Sequence, residues 1–220
     1  MQRTINLTFH GVGDHDRQLD AGESAVWLAR PEFLTVLDAA TGRRDVRLTF
    51  DDGNISDLEH ALPALRERGL RATFFVVAGR LGVPGFIDAD GVRALSAAGM
   101  TIGCHGMRHR PWRSLGERML REELLEARQV LEEIVGHPVL EAACPFGSYD
   151  RRVLRSLRRF GYQTVYTSDG GTAATHAWIQ ARTTIRPRDG AGVLDQIMSW
   201  ERSWYRALPG RTWRVAKQWR

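Results

Sequence analysis

Cysteine is almost missing from this chain of 220 residues, which has only Cys104 and Cys144. Two distant thiols without a CxxC exclude a disulfide framework and a cysteine-built zinc ribbon. Each reads as a small buried hydrophobe beside a strand end. Long apolar runs are missing too, since nothing approaches the ~18 consecutive residues of a membrane span. The opening MQRTINLTFHGVGDHD holds no apolar segment of signal-peptide length, so the chain as it stands is expected in the cytoplasm unless a leader has been removed. Phosphate-cradling loops do not occur: Gly11-Val12-Gly13 would need glycine where Asp16 stands, and there is no GxxxxGK(S/T). Nucleotide binding is therefore unsupported. Excess charge is modest, with 31 Lys+Arg against 26 Asp+Glu and a net of +5, which gives no nucleic-acid reading.

No repeat, low-complexity stretch or Ser/Pro linker divides the chain, and it reads as one domain over 1–220. The basic excess gathers in the segment 209–220, where Arg211, Arg214, Lys217 and Arg220 meet no acid and Trp213 and Trp219 interleave them. That composition suits peripheral contact with an anionic membrane surface or a protein partner, or else a frayed or docked terminus.

What is present is an alternation of short apolar strands with amphipathic helices, the pattern of a mostly parallel α/β fold. Strands are expected at Ile5–Phe9, Val46–Phe50, Ala72–Val77, Met100–Gly103, Val139–Cys144, Thr164–Thr167 and Thr183–Ile185. Helices are expected at Glu32–Ala40, Ser56–Arg68, Asp88–Ala98, Glu117–Val135, Tyr149–Phe160 and Val193–Leu208. The fourth of these carries Leu120, Leu124, Ala127, Leu131 and Ile134 at helical spacing. An open sheet and a barrel both fit, and in either the chemistry gathers beyond the C-terminal ends of the strands.

Four such ends carry polar groups. The second strand delivers Asp51-Asp52-Gly53-Asn54; adjacent carboxylates diverge there, so one can ligate a metal while its neighbour serves as a base. The bland alternative is a solvated turn before a helix. The fourth strand delivers His105-Gly106-Met107-Arg108-His109, two imidazoles able to reach one metal from a tight loop. Asp plus two His makes an N/N/O set that suits zinc and also accommodates cobalt, nickel or iron. Cys144-Pro145-Phe146-Gly147 is a tight turn whose backbone N–H groups can hold an oxyanion. The first strand delivers His10, either a general acid or a satisfied structural histidine.

With Thr49-Phe50-Asp51-Asp52-Gly53, His105-Gly106-Met107-Arg108-His109 and Pro145-Phe146-Gly147 in this order, the chain resembles the polysaccharide deacetylases of carbohydrate esterase family 4, which share the nodulation-type deacetylase domain. The resemblance covers roughly Val46 to Ile185, and the pairing of TFDDG with HxxxH is far more specific than either motif alone. It implies a distorted (β/α) barrel of about seven parallel strands, cut from the same plan as larger barrels. It also implies Asp51 as catalytic base, Asp52, His105 and His109 as metal ligands, and Pro145, Phe146 and Gly147 lining the groove, with the Phe146 N–H on the oxyanion.

Two departures stand out. The family's third motif begins with an arginine that pairs with the base, where this chain has Ala143; Arg182 or Arg186 at the last strand is the expected replacement. The family's acid histidine comes from a late strand, yet no histidine follows His176. The Leu7-Thr8-Phe9-His10 strand is similar to the permuted arrangement of biofilm poly-N-acetylglucosamine deacetylases, which implies His10 as the acid.

The implied activity is metal-dependent hydrolysis of N-acetyl groups on an amino-sugar polysaccharide or glycoconjugate. An amidase for a small or cyclic non-sugar amide and a catalytically silent carbohydrate-binding module remain as alternatives. Trp112, Tyr149 and Trp178 are candidate sugar-stacking rings, each of which could equally be core. A polysaccharide substrate also makes envelope association an alternative to the cytoplasm.

Overall fold

The structure, a computed structural model, describes residues 2–206. The segment 209–220 and the expected helix end at Leu208 lie outside the described residues. The strands are β1 (Arg3–Phe9), β2 (Gly11–Val12), β3 (Trp27–Leu28), β4 (Val46–Asp52), β5 (Ala72–Val76) and β6 (Thr101–Cys104). They continue as β7 (Glu141–Ala143), β8 (Thr164–Thr167), β9 (Thr172–Ala174), β10 (Ile179–Ala181) and β11 (Thr183–Thr184). The main sheet runs β10-β8-β7-β6-β5-β4-β1-β11, all neighbours parallel, with β9 antiparallel on β1 and β2 paired separately with β3.

Closure depends on one segment. β10 pairs with β8 while β11, one residue further on, pairs with β1. The stretch 179–184 thus bridges the two edges of the sheet, interrupted at Arg182, whose N–H donates to Thr167 O at 3.0 Å. Counted as one broken strand, it completes the expected distorted barrel. The sequence placed strand only on Thr183–Ile185. β9 and β10 are missed because three-residue strands of Thr, Ala, Ile and Gln carry no readable alternation.

Alternation along the longer strands sorts side chains onto two faces. Ile5, Leu7, Phe9, Leu48, Phe50, Phe74 and Ile102 face outward and join the core under the helices. Phe50 is its centre, stacked on Phe9 at 5.1 Å and on Phe74 at 4.7 Å. The opposite face, around the barrel axis, is mostly polar: Thr8 Oγ1 meets Thr49 Oγ1 at 3.0 Å, and Asn6 Nδ2 donates to Gln180 Oε1 at 3.1 Å and to Ala181 O at 2.9 Å. Phe75, Ala143 and Tyr166 form a small apolar cluster inside. Gly103 makes room for it, because a Cβ there would stand 2.4 Å from the Phe75 ring. A cavity of about 610 Å³, lined in part by Arg47, Thr73, Glu141, Tyr166 and Gln180, opens at the N-terminal end of the strands.

As far as the described residues reach, the helices match the expected spans within about two residues, the usual looseness of helix ends. Asp88 caps the helix Ala89–Ala97 by accepting from Gly91 N–H at 2.8 Å, and Asp150 caps Arg151–Arg159 through Val153 N–H at 2.9 Å. The long run 117–135 contains a π-helical turn, Glu122–Glu126, which its hydrophobic spacing did not betray. No helix among the described residues is long and apolar enough to cross a membrane.

Truncating the ring at the centre of the outer core removes two stacking contacts and leaves a void. Phe50→Ala is expected to cost about 3–5 kcal/mol, read as a lower urea midpoint with an unchanged slope.

Candidate active site

Strand parity brings the candidate residues together. Thr49 and Asp51 share the inner face of β4, and the register Phe9↔Phe50 sets His10, one residue past β1, alongside Asp51. His105 follows β6 at the same level, its N–H donating to Val76 O at 2.9 Å.

Asp51 is buried, and Arg182 grips both of its oxygens, Nη1 to Oδ1 at 2.6 Å and Nη2 to Oδ2 at 2.8 Å. Arg182 is itself 1% exposed. Its Nη1 also donates to Thr49 Oγ1 at 3.1 Å, and its guanidinium lies 5.1 Å from the Phe75 ring centre and 5.8 Å from that of Tyr166. Burial alone would raise the Asp51 carboxyl. The Arg182 charge, the neighbouring His105, the Arg182 hydrogen bonds and His10 reverse that, holding it below the usual carboxylate range. Arg186, the other expected partner, is exposed, and its backbone N–H donates to Asp189 Oδ2 at 2.7 Å. It stands outside the site because the chain turns outward after Ile185, whose side chain goes to the core.

Next to this pair sits a donor cluster. His105 Nδ1–H donates to Ala143 O at 2.9 Å, a tautomer that leaves the Nε2 lone pair facing Asp52 Oδ1 at 3.6 Å and Asp51 Oδ2 at 3.8 Å. His109 Nε2 lies 3.1 Å from Asp52 Oδ1. Burial pushes the His105 imidazole down to about 4, against the pull of Asp51. Burial also lowers His109, helped by Arg80 and His10 and opposed by Asp52 and Asp51. Both rings are therefore neutral at pH 7, the form that ligates. The donor atoms of Asp52, His105 and His109 all lie within 4.8 Å of one another. Asp52 Oδ1 is buried without a hydrogen-bond donor, a costly state for an anion unless a cation meets it. Asp57, also buried, has its carboxyl pushed well up by burial and by Asp52 and Asp51. Arg182 is matched to Asp51, which leaves Asp52 facing the two imidazoles. A divalent cation fits this donor set.

The backbone is strained where the chemistry is. Among the described residues the non-glycine positions with positive φ are Asp52 (78°), His109 (53°), Phe146 (56°) and Arg188 (74°), and three of these four are candidate site residues. Phe146 is held in the turn Pro145–Gly147, 66% exposed as a residue, with its ring centre 4.5 Å from that of His109. The remaining candidate rings are placed elsewhere. Trp112 and Tyr149 are fully buried, Tyr149 donating to Asp169 Oδ2 at 2.6 Å. Trp178 precedes β10 at the far end of the barrel, its Nε1–H on Tyr162 O at 2.9 Å. Volume and apolarity put two of them in the core, so Phe146 is the aromatic presented at the mouth.

Sequence reasoning missed Glu123, whose carboxylate accepts the Met107 and Arg108 N–H groups between the two histidines. The available signal was an acid on the apolar stripe of its helix, three residues after Leu120. It also missed Asn54, fully buried, whose amide donates to His10 O at 3.4 Å and accepts from Arg17 at 2.6 Å.

Comparison with known proteins agrees with this geometry. Residues 38–165 match the polysaccharide deacetylase family model. The chitooligosaccharide deacetylase of Sinorhizobium fredii is 28% identical over 75% of this chain and 71% of its own. The chain spans 61%, 71%, 43% and 44% of the lengths of four curated relatives that it matches. In fold it is similar to a polysaccharide deacetylase from Bacillus cereus, with a TM-score of 0.79 at 18% identity over 89% of this chain and 69% of that one. It is similar also to IcaB from Ammonifex degensii, with a TM-score of 0.73 at 22% identity over 90% and 97%. With the family match covering more than half of its length, around both the carboxylate pair and the histidine loop, the chain belongs to the polysaccharide deacetylase family.

Proposed function

We propose that this protein is a zinc-dependent hydrolase that removes N-acetyl groups from an amino-sugar polymer. The observation that carries the reading is a buried carboxylate held ionised by Arg182 immediately beside the Asp52, His105 and His109 donor set. Membership of the family, and a relative named for chitooligosaccharide deacetylation, support the substrate class.

Asp52, His105 and His109 would hold a divalent ion, which would supply Lewis acidity to a carbonyl and to a water. Asp51, kept ionised, takes the proton of the attacking water at a carboxylate oxygen. Arg182 occupies both Asp51 oxygens in a bidentate fork, which orients the base and keeps it from serving as a ligand. As the acyl carbon becomes tetrahedral, the Phe146 N–H, in a turn whose other amides bond within it, donates to the developing oxyanion. His10 protonates the departing nitrogen, which leaves poorly as an anion. The exposed Phe146 ring offers a flat apolar face to a sugar at the mouth. The Arg182 grip answers the case for a silent binding module, since the partner that Ala143 cannot provide arrives from the closing strand.

Incubated with N-acetylglucosamine oligomers and zinc, the protein is expected to release acetate. Asp51→Asn retains zinc while its turnover falls by about 10²–10⁴-fold, and His105→Ala loses the zinc itself, as read by metal analysis and acetate assay. Acetate release by Asp51→Asn at the parent's rate would remove the base assignment.

Arg182→Met leaves burial of Asp51 uncompensated, so the Asp51 pKa rises. Because the base must be ionised, the acid limb of the kcat/KM profile moves to higher pH. The pair stabilises the fold above the unfolded-state carboxylate range, and that contribution is lost as pH falls through the depressed folded value. At neutral pH the variant is expected to be less stable by about 3–5 kcal/mol, measured by denaturant unfolding.

A further inference from the structure

We infer that Glu123 is the residue that positions the metal-ligating loop, setting the separation of His105 and His109; this rests on the metal-hydrolase reading above. Glu123 is fully buried, in the π-helical turn Glu122–Glu126. Such turns inside α-helices concentrate at functional sites. Its side chain points under the loop and takes up the loop's backbone donors. Oε2 accepts the Met107 N–H at 2.9 Å, and Oε1 accepts the Arg108 N–H at 3.0 Å, with Oε2 3.3 Å from the same N–H.

The opposite edge of the loop is held as well. Ala78 N–H donates to Gly106 O and Gly79 N–H to Met107 O, both at 2.9 Å. Between the second and third ligands, the Met107 and Arg108 N–H groups and the Gly106 and Met107 carbonyls are thus claimed from two sides. His109 follows at once with its φ of 53°, a conformation that costs energy unless its surroundings impose it.

Two glycines show how closely the clamp fits. Gly106 has φ +88°, and a Cβ on it would stand 2.2 Å from Glu123 Oε2. On Gly79 a Cβ would stand 2.3 Å from Met107 O. Glycine at 106 is therefore required by the carboxylate beneath it as well as by the backbone turn. The acid is required in turn, because its two oxygens can each accept one of two converging N–H groups. A glutamine would turn an NH2 donor toward one of them. The side chain of Arg108 points away, donating to Glu122 Oε1 at 2.7 Å in an exposed pair, so Glu122 does not share the task.

A comparable bond on the same helix provides the control. Glu132 accepts the Val139 N–H at 2.9 Å and the Arg128 Nε–H at 2.7 Å, away from the ligands. Zinc affinity is measured by titration calorimetry on metal-free protein, alongside thermal unfolding of the same samples. Glu123→Gln and Gly106→Ala, which disturb the contact from its two sides, are each expected to weaken zinc by about 10–100-fold, the usual effect of removing a group that orients ligands. Glu132→Gln is expected to lower the unfolding temperature and leave the zinc affinity unchanged. In the unaltered metal-free protein the Met107 and Arg108 amides are expected to be protected from hydrogen exchange, a readout that survives if a variant fails to fold. Zinc bound equally by parent, Glu123→Gln and Gly106→Ala overturns this inference alone, as does rapid exchange of both amides. No zinc bound by the parent overturns the metal reading and the inference with it.

Discussion

The bond on which the molecule turns is the two-pronged contact between Arg182 and Asp51. It joins the closing strand to β4 over the intervening β1, and it does so where the closing strand breaks. A buried arginine needs several acceptors. Asp51, Thr49 Oγ1 and, at 3.4 Å, Thr167 O supply them, while Phe75 and Tyr166 present ring faces to the guanidinium. Buried ion pairs of this kind add little net stability compared with apolar packing, yet losing one partner is expensive. Their value lies in fixing geometry. Here the geometry fixed is that of the carboxylate beside the donor set.

A polar barrel interior follows from that arrangement. Barrels of this general plan fill their axis with layers of branched apolar side chains. This one places Asn6, Thr8, Thr49, Asp51, Gln180 and Arg182 there, all buried, and sends Ile5, Leu7, Phe9, Leu48 and Phe50 outward to the helices. The outer core stabilises the fold, so the inner face is free to carry charge. Strain is confined in the same way: Asp52, His109 and Phe146 hold positive φ at strand ends and in loops, where clamps such as Glu123 impose it, and the strands themselves stay regular.

Much of this was legible in advance. The strands with β-branched and aromatic residues, the helices with Leu at three- and four-residue spacing, and the acids that cap them all declare themselves locally. Asp51, Asp52, His105 and His109 stood out because each follows an apolar strand, where a parallel fold collects its chemistry. β9 and β10 stayed hidden, being too short for any period to show. Trp112 and Tyr149 looked as suited to a groove as to a core, since an aromatic ring gives no sign of its burial in a single sequence. Glu123 was concealed for the opposite reason, as helix composition treats a glutamate as surface.

The sequence by itself determined the alternation of strands and helices, the residue types able to bind a metal and move a proton, and their order along the chain, because these depend on neighbours within a few positions. Only the tertiary structure decided between Arg182 and Arg186, because the turn after Ile185 carries Arg186 out to solvent while Arg182 stays buried on Asp51. It also made His10 and Asp51 neighbours, because their adjacency comes from the register of two paired strands. And it set Glu123 beneath the histidine loop, since that contact joins a helix to a loop more than a dozen residues earlier, and a contact across such a distance leaves no period in the sequence to read.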